Sequence, residues 1–115
     1  MARLDVPGLP DMPLEAAAEF HQMVMPVIRA ALITAPPLLT LVFTPEDHTH
    51  RGWRLATVQE LAREFAPTTR VNAVEGDDEA AIAAAVAYLD TAEGVTGQVL
   101  MLDSNGVGQL LYEDG

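Results

Sequence analysis

Cysteine is absent from the 115-residue chain, and so is lysine. The first absence excludes disulfides, thiolate nucleophiles and cysteine-ligated zinc or iron–sulfur sites. The second leaves arginine as the only permanent cation, six residues against 17 acids, for a formal charge of −11. So acidic a chain repels phosphate backbones and anionic lipid heads, and neither nucleic acid nor a membrane surface is an expected partner. Aromatic residues are scarce at 5%, so any core must be built from aliphatics and alanine. Long apolar runs are missing too. Pro26, Pro36, Pro37 or polar residues interrupt each one, and no transmembrane segment is expected. The start, with Arg3 and Asp5, carries no signal-type apolar core, so a cytoplasmic protein is expected. What is present is a hydrophobic fraction of 50% and a mean hydropathy of +0.17. That supports one domain with a true core and excludes a disordered chain.

Residues 1–12, with Pro7, Gly8 and Pro10, read as an irregular lead-in to a single domain over residues 13–115. Asp11, Pro13 and Glu15 form a helix-start signature. The helix is expected from Pro13 to Ile33, with Leu14, Ala17, Val24, Ile28 and Leu32 as its buried stripe and a kink or break at Pro26. Ala35-Pro36-Pro37 ends it. The run LLTLVF over 38–43 has the near-continuous apolar character of a strand buried on both faces. A polar loop follows, then a second helix over 52–66 with Leu55, Val58, Ala62 and Phe65 on one face. A strand over 70–74 leads into a third helix capped by Asp77 or Asp78, with Gly94 as its C-terminal glycine. The last expected strand is 98–102, followed by a turn at Asp103-Ser104-Asn105-Gly106 and a weak extended tail over Gly108 to Tyr112. Strands alternating with helices of this length imply an α/β fold with three parallel strands, three main helices and right-handed crossovers.

From Leu61 onward four phrases stand in order: LAREFAP (61–67), RVNAVEG (70–76), IAAAVAYL (82–89) and VTGQVLMLD (95–103). Together they resemble the C-terminal half of short-chain dehydrogenases/reductases, and PVIRAAL (26–32) with LLTLVF extends the likeness backwards. The resemblance implies a truncated Rossmann-like half, with the strand order following the chain. It also sets out what this chain lacks. Members of that family carry a glycine-rich phosphate loop on a first helix, and no G-x-x-x-G-x-G follows a strand here. Their acid/base tyrosine and the lysine four residues on fall, without a gap, at Asp47 and Arg51. Thr44 falls near the serine that orients the substrate carbonyl, and Phe20 or His21 near the supporting asparagine. The family's Pro-Gly pair is Glu75-Gly76, and the segment that forms a substrate lid is deleted. By the same resemblance Asn72 is a structural residue.

The expected function is therefore a non-catalytic short-chain-dehydrogenase-like module acting in oligomer assembly or partner binding, with no cofactor. One alternative is an enzyme of altered chemistry, in which Thr44, Asp47, His48, His50, Arg51 and Glu75 converge at the carboxyl ends of the strands. Another is a subunit that completes a separate nucleotide-binding chain. Asp47, His48 and His50 are the best metal-ligand types present, but their spacing converges poorly, and a polar loop entering a helix explains them better. Asp47 with Arg51 reads more simply as an i, i+4 ion pair. Self-association as a homodimer is expected. Either the free edge of strand 38–43 or the pair of first helices supplies the surface. The helix pair is preferred because the resemblance carries a four-helix precedent, through Leu14, Ala17, Val24, Trp53, Leu55, Val58, Leu61 and Phe65.

Overall fold

The computed structural model describes residues 2–103 and 106–110. The strands are β1 (Ala2–Asp5), β2 (Leu38–Phe43), β3 (Arg70–Glu75), β4 (Val99–Asp103) and β5 (Gly106–Leu110), in one sheet ordered as in the chain. The first four run parallel, and β5 pairs antiparallel to β4. The three expected strands are all present. The expected irregular lead-in is corrected: it opens with a fourth parallel strand, because Ala2 to Asp5 pairs with Leu39 to Val42. Alternation across the pleat lets Ala2 and Leu4 pack on the core while Arg3 and Asp5 stay exposed. That two-residue alternation is too short to stand out among prolines. The extended tail is β5 as far as Leu110. Ser104 and Asn105 of the expected turn, and Leu111 and Tyr112 of the tail, lie outside the described residues.

The expected first helix is a single rod with an altered middle. It consists of α1 (Pro13–Glu19), a π-helical turn (Phe20–Val24) and α2 (Met25–Leu32). Pro26 has no N–H and its ring would meet the carbonyl four residues back. The widened turn, in which the Met25 N–H reaches Phe20 O, absorbs that conflict without breaking the rod. The buried stripe is Ala16, Phe20, Val24, Ile28 and Leu32. The expected stripe is therefore corrected at its start: Leu14 is 87% exposed and Ala17 only half-buried. α3 (Arg51–Phe65) follows a 3-10 turn at His48–His50, and α4 is Glu79–Thr91.

Two cores flank the sheet. Leu39, Leu41, Phe43, Val71, Ala73 and Val99 face the α1–α2 rod and α3. Leu38, Val42, Val74 and Leu100 face α4. The strands advance in one direction while α4 lies opposite the other helices. The β3–α4–β4 crossover thus has the opposite hand to its two predecessors, and the expected uniform right-handedness does not hold. The physical reason is the second apolar face of the sheet, which among the described elements α4 covers.

Polar side chains hold α4 in this place. The Arg70 guanidinium donates to the carbonyls of Leu89, Ala92 and Val95 at 3.1, 2.7 and 3.2 Å. It does the work expected of Gly94, since the cap is Ala92 and, among the described glycines, only Gly97 has a positive φ. Asn72 donates to Val95 O at 2.9 Å and accepts from the Gln98 N–H at 3.0 Å, fixing the turn that enters β4. Gly97 makes that turn at φ +74°, where a side chain would be strained. Asp78 occupies the N-cap position of α4 without a side-chain hydrogen bond, so its contribution there is charge beside the helix dipole. Replacing Arg70 by Leu leaves the α4 carbonyls without charged donors. Denaturant unfolding should show a loss on the order of 2 kcal/mol.

Candidate functional site

Open parallel sheets present their chemistry at the carboxyl ends of the strands. Here those ends carry Asp5, Thr44 and Glu75-Gly76, with the turn before α3 beside them. The centre of this end is a buried ion pair. Arg54 Nη1 donates to Glu75 Oε1 at 2.8 Å and to Thr44 O at 2.9 Å, with side-chain exposures of 2% and 6% for the pair. The Arg54 guanidinium also lies 4.5 Å from the Phe43 ring centre. Glu75 Oε2 accepts the Glu46 N–H at 3.4 Å. Gly76 is packed in turn, because a Cβ there would stand 3.1 Å from Leu102 Cβ.

Beside this pair stands a second closed arrangement. The Trp53 indole N–H donates to His50 Nδ1 at 3.2 Å. His50 Nε2 must then carry the hydrogen, which it donates to Asp11 O at 2.8 Å. Glu46 Oε1 lies 3.8 Å from the same nitrogen. His50 is fully buried and pins the lead-in segment against the start of α3.

The residues expected to converge do so only in part. Glu75 and His50 are interior and engaged, whereas Thr44, Asp47, His48 and Arg51 are exposed. Asp47 accepts from the Thr49 N–H at 2.9 Å and from the Thr49 hydroxyl, and these bonds hold its carboxyl below the usual range. This corrects the expected Asp47–Arg51 pair: a local cap to Thr49 needs less side-chain ordering than a reach of one turn to an exposed arginine. Asp47, His48 and His50 do not form a ligand cluster, because His50 turns inward to Asp11. Among the described residues no group of three His, Asp or Glu side chains is placed to hold a metal.

Sequence reasoning missed Arg54. The signal was available: Arg54, Val58 and Leu61 share one helical stripe, and an arginine on a buried stripe requires an acid. The α3 stripe is accordingly rotated from the expected one, with Arg54, Thr57, Val58, Leu61 and Ala62 buried and Leu55 and Phe65 half-buried.

A second surface feature is a groove of about 470 Å³ between the rod and α3, lined by His21, Met25, Arg29, Trp53, Ala56 and Leu61 among others. The Arg29–Glu64 ion pair at 3.1 Å crosses between the same two helices. Of the eight residues expected at an interface, Val24, Val58 and Leu61 are buried in the chain's own core. Trp53, Leu55 and Phe65 are half-buried against it. Ala17 is half-buried, and Leu14 is exposed.

The family profile of short chain dehydrogenase-like proteins matches residues 4–102. The chain belongs to that family. Comparison with proteins of curated function and with solved structures gives no match. Dehydrogenases of this kind use a nicotinamide dinucleotide, and the residues of this short chain dehydrogenase-like protein do not fit one. Pro7, Pro10 and Pro13 remove backbone donors between β1 and α1. Each helix start at the strand ends bears carboxylates: Glu15 in α1, Asp47 before α3, and Asp78 and Glu79 at α4. Those positive dipole ends are already complemented and repel a pyrophosphate. The hollow there measures about 190 Å³, and two of its lining residues, Asp5 and Glu79, are carboxylates already held by Arg3.

The buried pair gives a direct test. Arg54→Met strands Glu75 without a cation and should cost about 3–5 kcal/mol in denaturant unfolding, while Arg54→Met with Glu75→Leu should recover most of that loss. A double variant no better than the single would show that the site needs the charges themselves.

Proposed function

We propose that this chain is a non-catalytic member of its family, a module that acts through oligomer assembly or partner binding. The observation that carries the reading is the closed strand end. The acid and the histidine nearest the family's reaction centre are spent on Arg54, Trp53 and Asp11. At the tyrosine and lysine positions stand Asp47, a capping carboxylate, and Arg51, an exposed guanidinium. Neither can act as a tyrosine acid steered by a neighbouring lysine. With no lid segment and three acidic helix starts, this end of the sheet offers a substrate neither cover nor an anion seat.

What remains outward-facing is suited to contact with protein. Met12, Leu14, Met23, Val27 and Ile33, all on or beside the rod, are more than half exposed. The groove along α3 adds a concave apolar strip.

Two measurements test the reading. Calorimetric titration with NAD(H) and NADP(H) should give no binding, and tight binding of either would overturn it. Light scattering after size exclusion at micromolar concentration should give a mass near twice the 12.3 kDa of one chain. A constant single-chain mass at all concentrations would count against self-assembly.

A further inference from the structure

We infer that the assembly surface is the outer edge of β1, and that its occupant is a second copy of this chain paired antiparallel across a two-fold axis. The inference rests on the assembly reading above and names its partner and register.

Among the described residues β1 is the terminal strand of the sheet. The Val6 N–H donates to Val42 O at 2.8 Å, so Val6, Leu4 and Ala2 turn their backbone groups toward β2. By alternation, Arg3 and Asp5 turn their N–H and C=O groups outward. Sheets rarely leave such groups open. Suppose two copies meet with Leu4 opposite Leu4. Arg3 of each copy then faces Asp5 of the other. These are the two residues whose backbone groups point outward, so each such pair exchanges both of its ladder bonds.

The side chains agree with the same register. Arg3 and Asp5 share the α4 side of the sheet, where Arg3 already holds Asp5 and Glu79 at 2.8 and 2.9 Å. Cross-strand Arg–Asp pairs extend that cluster with alternating charge. Leu4 and Ala2 lie on the opposite face and are only half-buried in one chain, so Leu4 against Leu4 completes their cover.

The helix layer agrees as well. One flank of the rod, His21, Met25 and Arg29, faces α3 across the groove. The other flank, toward β1, carries Met23 and Val27 at 62% and 54% exposure. The rod shares a core cluster with residues of both β1 and β2. In a β1-to-β1 pair the flanks bearing Met23 and Val27 are the ones the two rods would turn toward each other across the axis.

The test uses the full chain and light scattering over a concentration series. Arg3→Asp and Asp5→Arg each place like charges opposite one another and should weaken the dimer on the order of tenfold or more. An equimolar mixture of the two should restore it as a heterodimer. Asp5→Pro removes one outward N–H while leaving the β2 ladder and the Arg3–Glu79 pair intact, and should weaken it similarly. Because the chain has no cysteine, Leu4→Cys adds a readout independent of stability: its copies should form a disulfide-linked dimer on mild oxidation, and those of Gly8→Cys should not. The groove variant Ala56→Glu should leave the dimer unchanged. A dimer that survives the β1 variants and is lost with Ala56→Glu overturns this inference and leaves the assembly reading standing. A wild-type chain that stays monomeric, or a different chain found on this edge, overturns it also; only the monomer counts against self-assembly itself.

Discussion

The pair of Arg54 and Glu75 sets the arrangement of the strand ends. Two charges taken out of water are tolerated only where geometry and further hydrogen bonds offset their desolvation. Here Glu75 sits on the last residue of β3, Arg54 projects from the first turn of α3, and Thr44 O closes the contact from the end of β2. One guanidinium thus fixes a helix and two strands relative to one another. The rings of Phe43 and Trp53 cover it, at 4.5 and 5.7 Å from its centre. Phe20 packs on both rings, which carries the constraint into the rod. Two of the three phenylalanines and the single tryptophan gather around this one cation.

A second arginine plays the matching part at the other end of the sheet. Arg70 collects the last carbonyls of α4, and Asn72 ties the following turn. These bonds anchor the helix that covers the second apolar face, and with it the crossover of opposite hand. Both arginines lie on strand or helix positions whose neighbours are apolar. In each case the long stem packs while the head finds its acceptors.

The same economy at the strand ends is what supports the proposed non-catalytic reading. The carboxyl end of a parallel sheet is useful because helix dipoles and unsatisfied donors converge there. In this chain carboxylates complement the dipoles, and the inward acid and histidine have fixed partners. What is left for contact is outward: a strand edge, the flanks of a rod and a groove. The assembly reading proposed above draws on these features.

Much of this was legible beforehand. Apolar continuity in LLTLVF, the VTGQ turn and the alternation of elements determined an α/β fold with parallel pairing. The absence of lysine and of a G-x-x-x-G-x-G phosphate loop was legible too, as a departure from the pattern of the family the chain resembles. Those features depend on local pattern or on composition, which a sequence carries directly. The tertiary structure alone decided the rest. It turned a proline-rich lead-in into an edge strand, because pairing with β2 supplies the hydrogen bonds that four residues cannot make for themselves. It placed α4 on the second face, where apolar strand positions needed cover. It joined Arg54 to a glutamate 21 residues away, and His50 to a carbonyl 39 residues away. Partners so distant in the chain are chosen by packing, which no local pattern records.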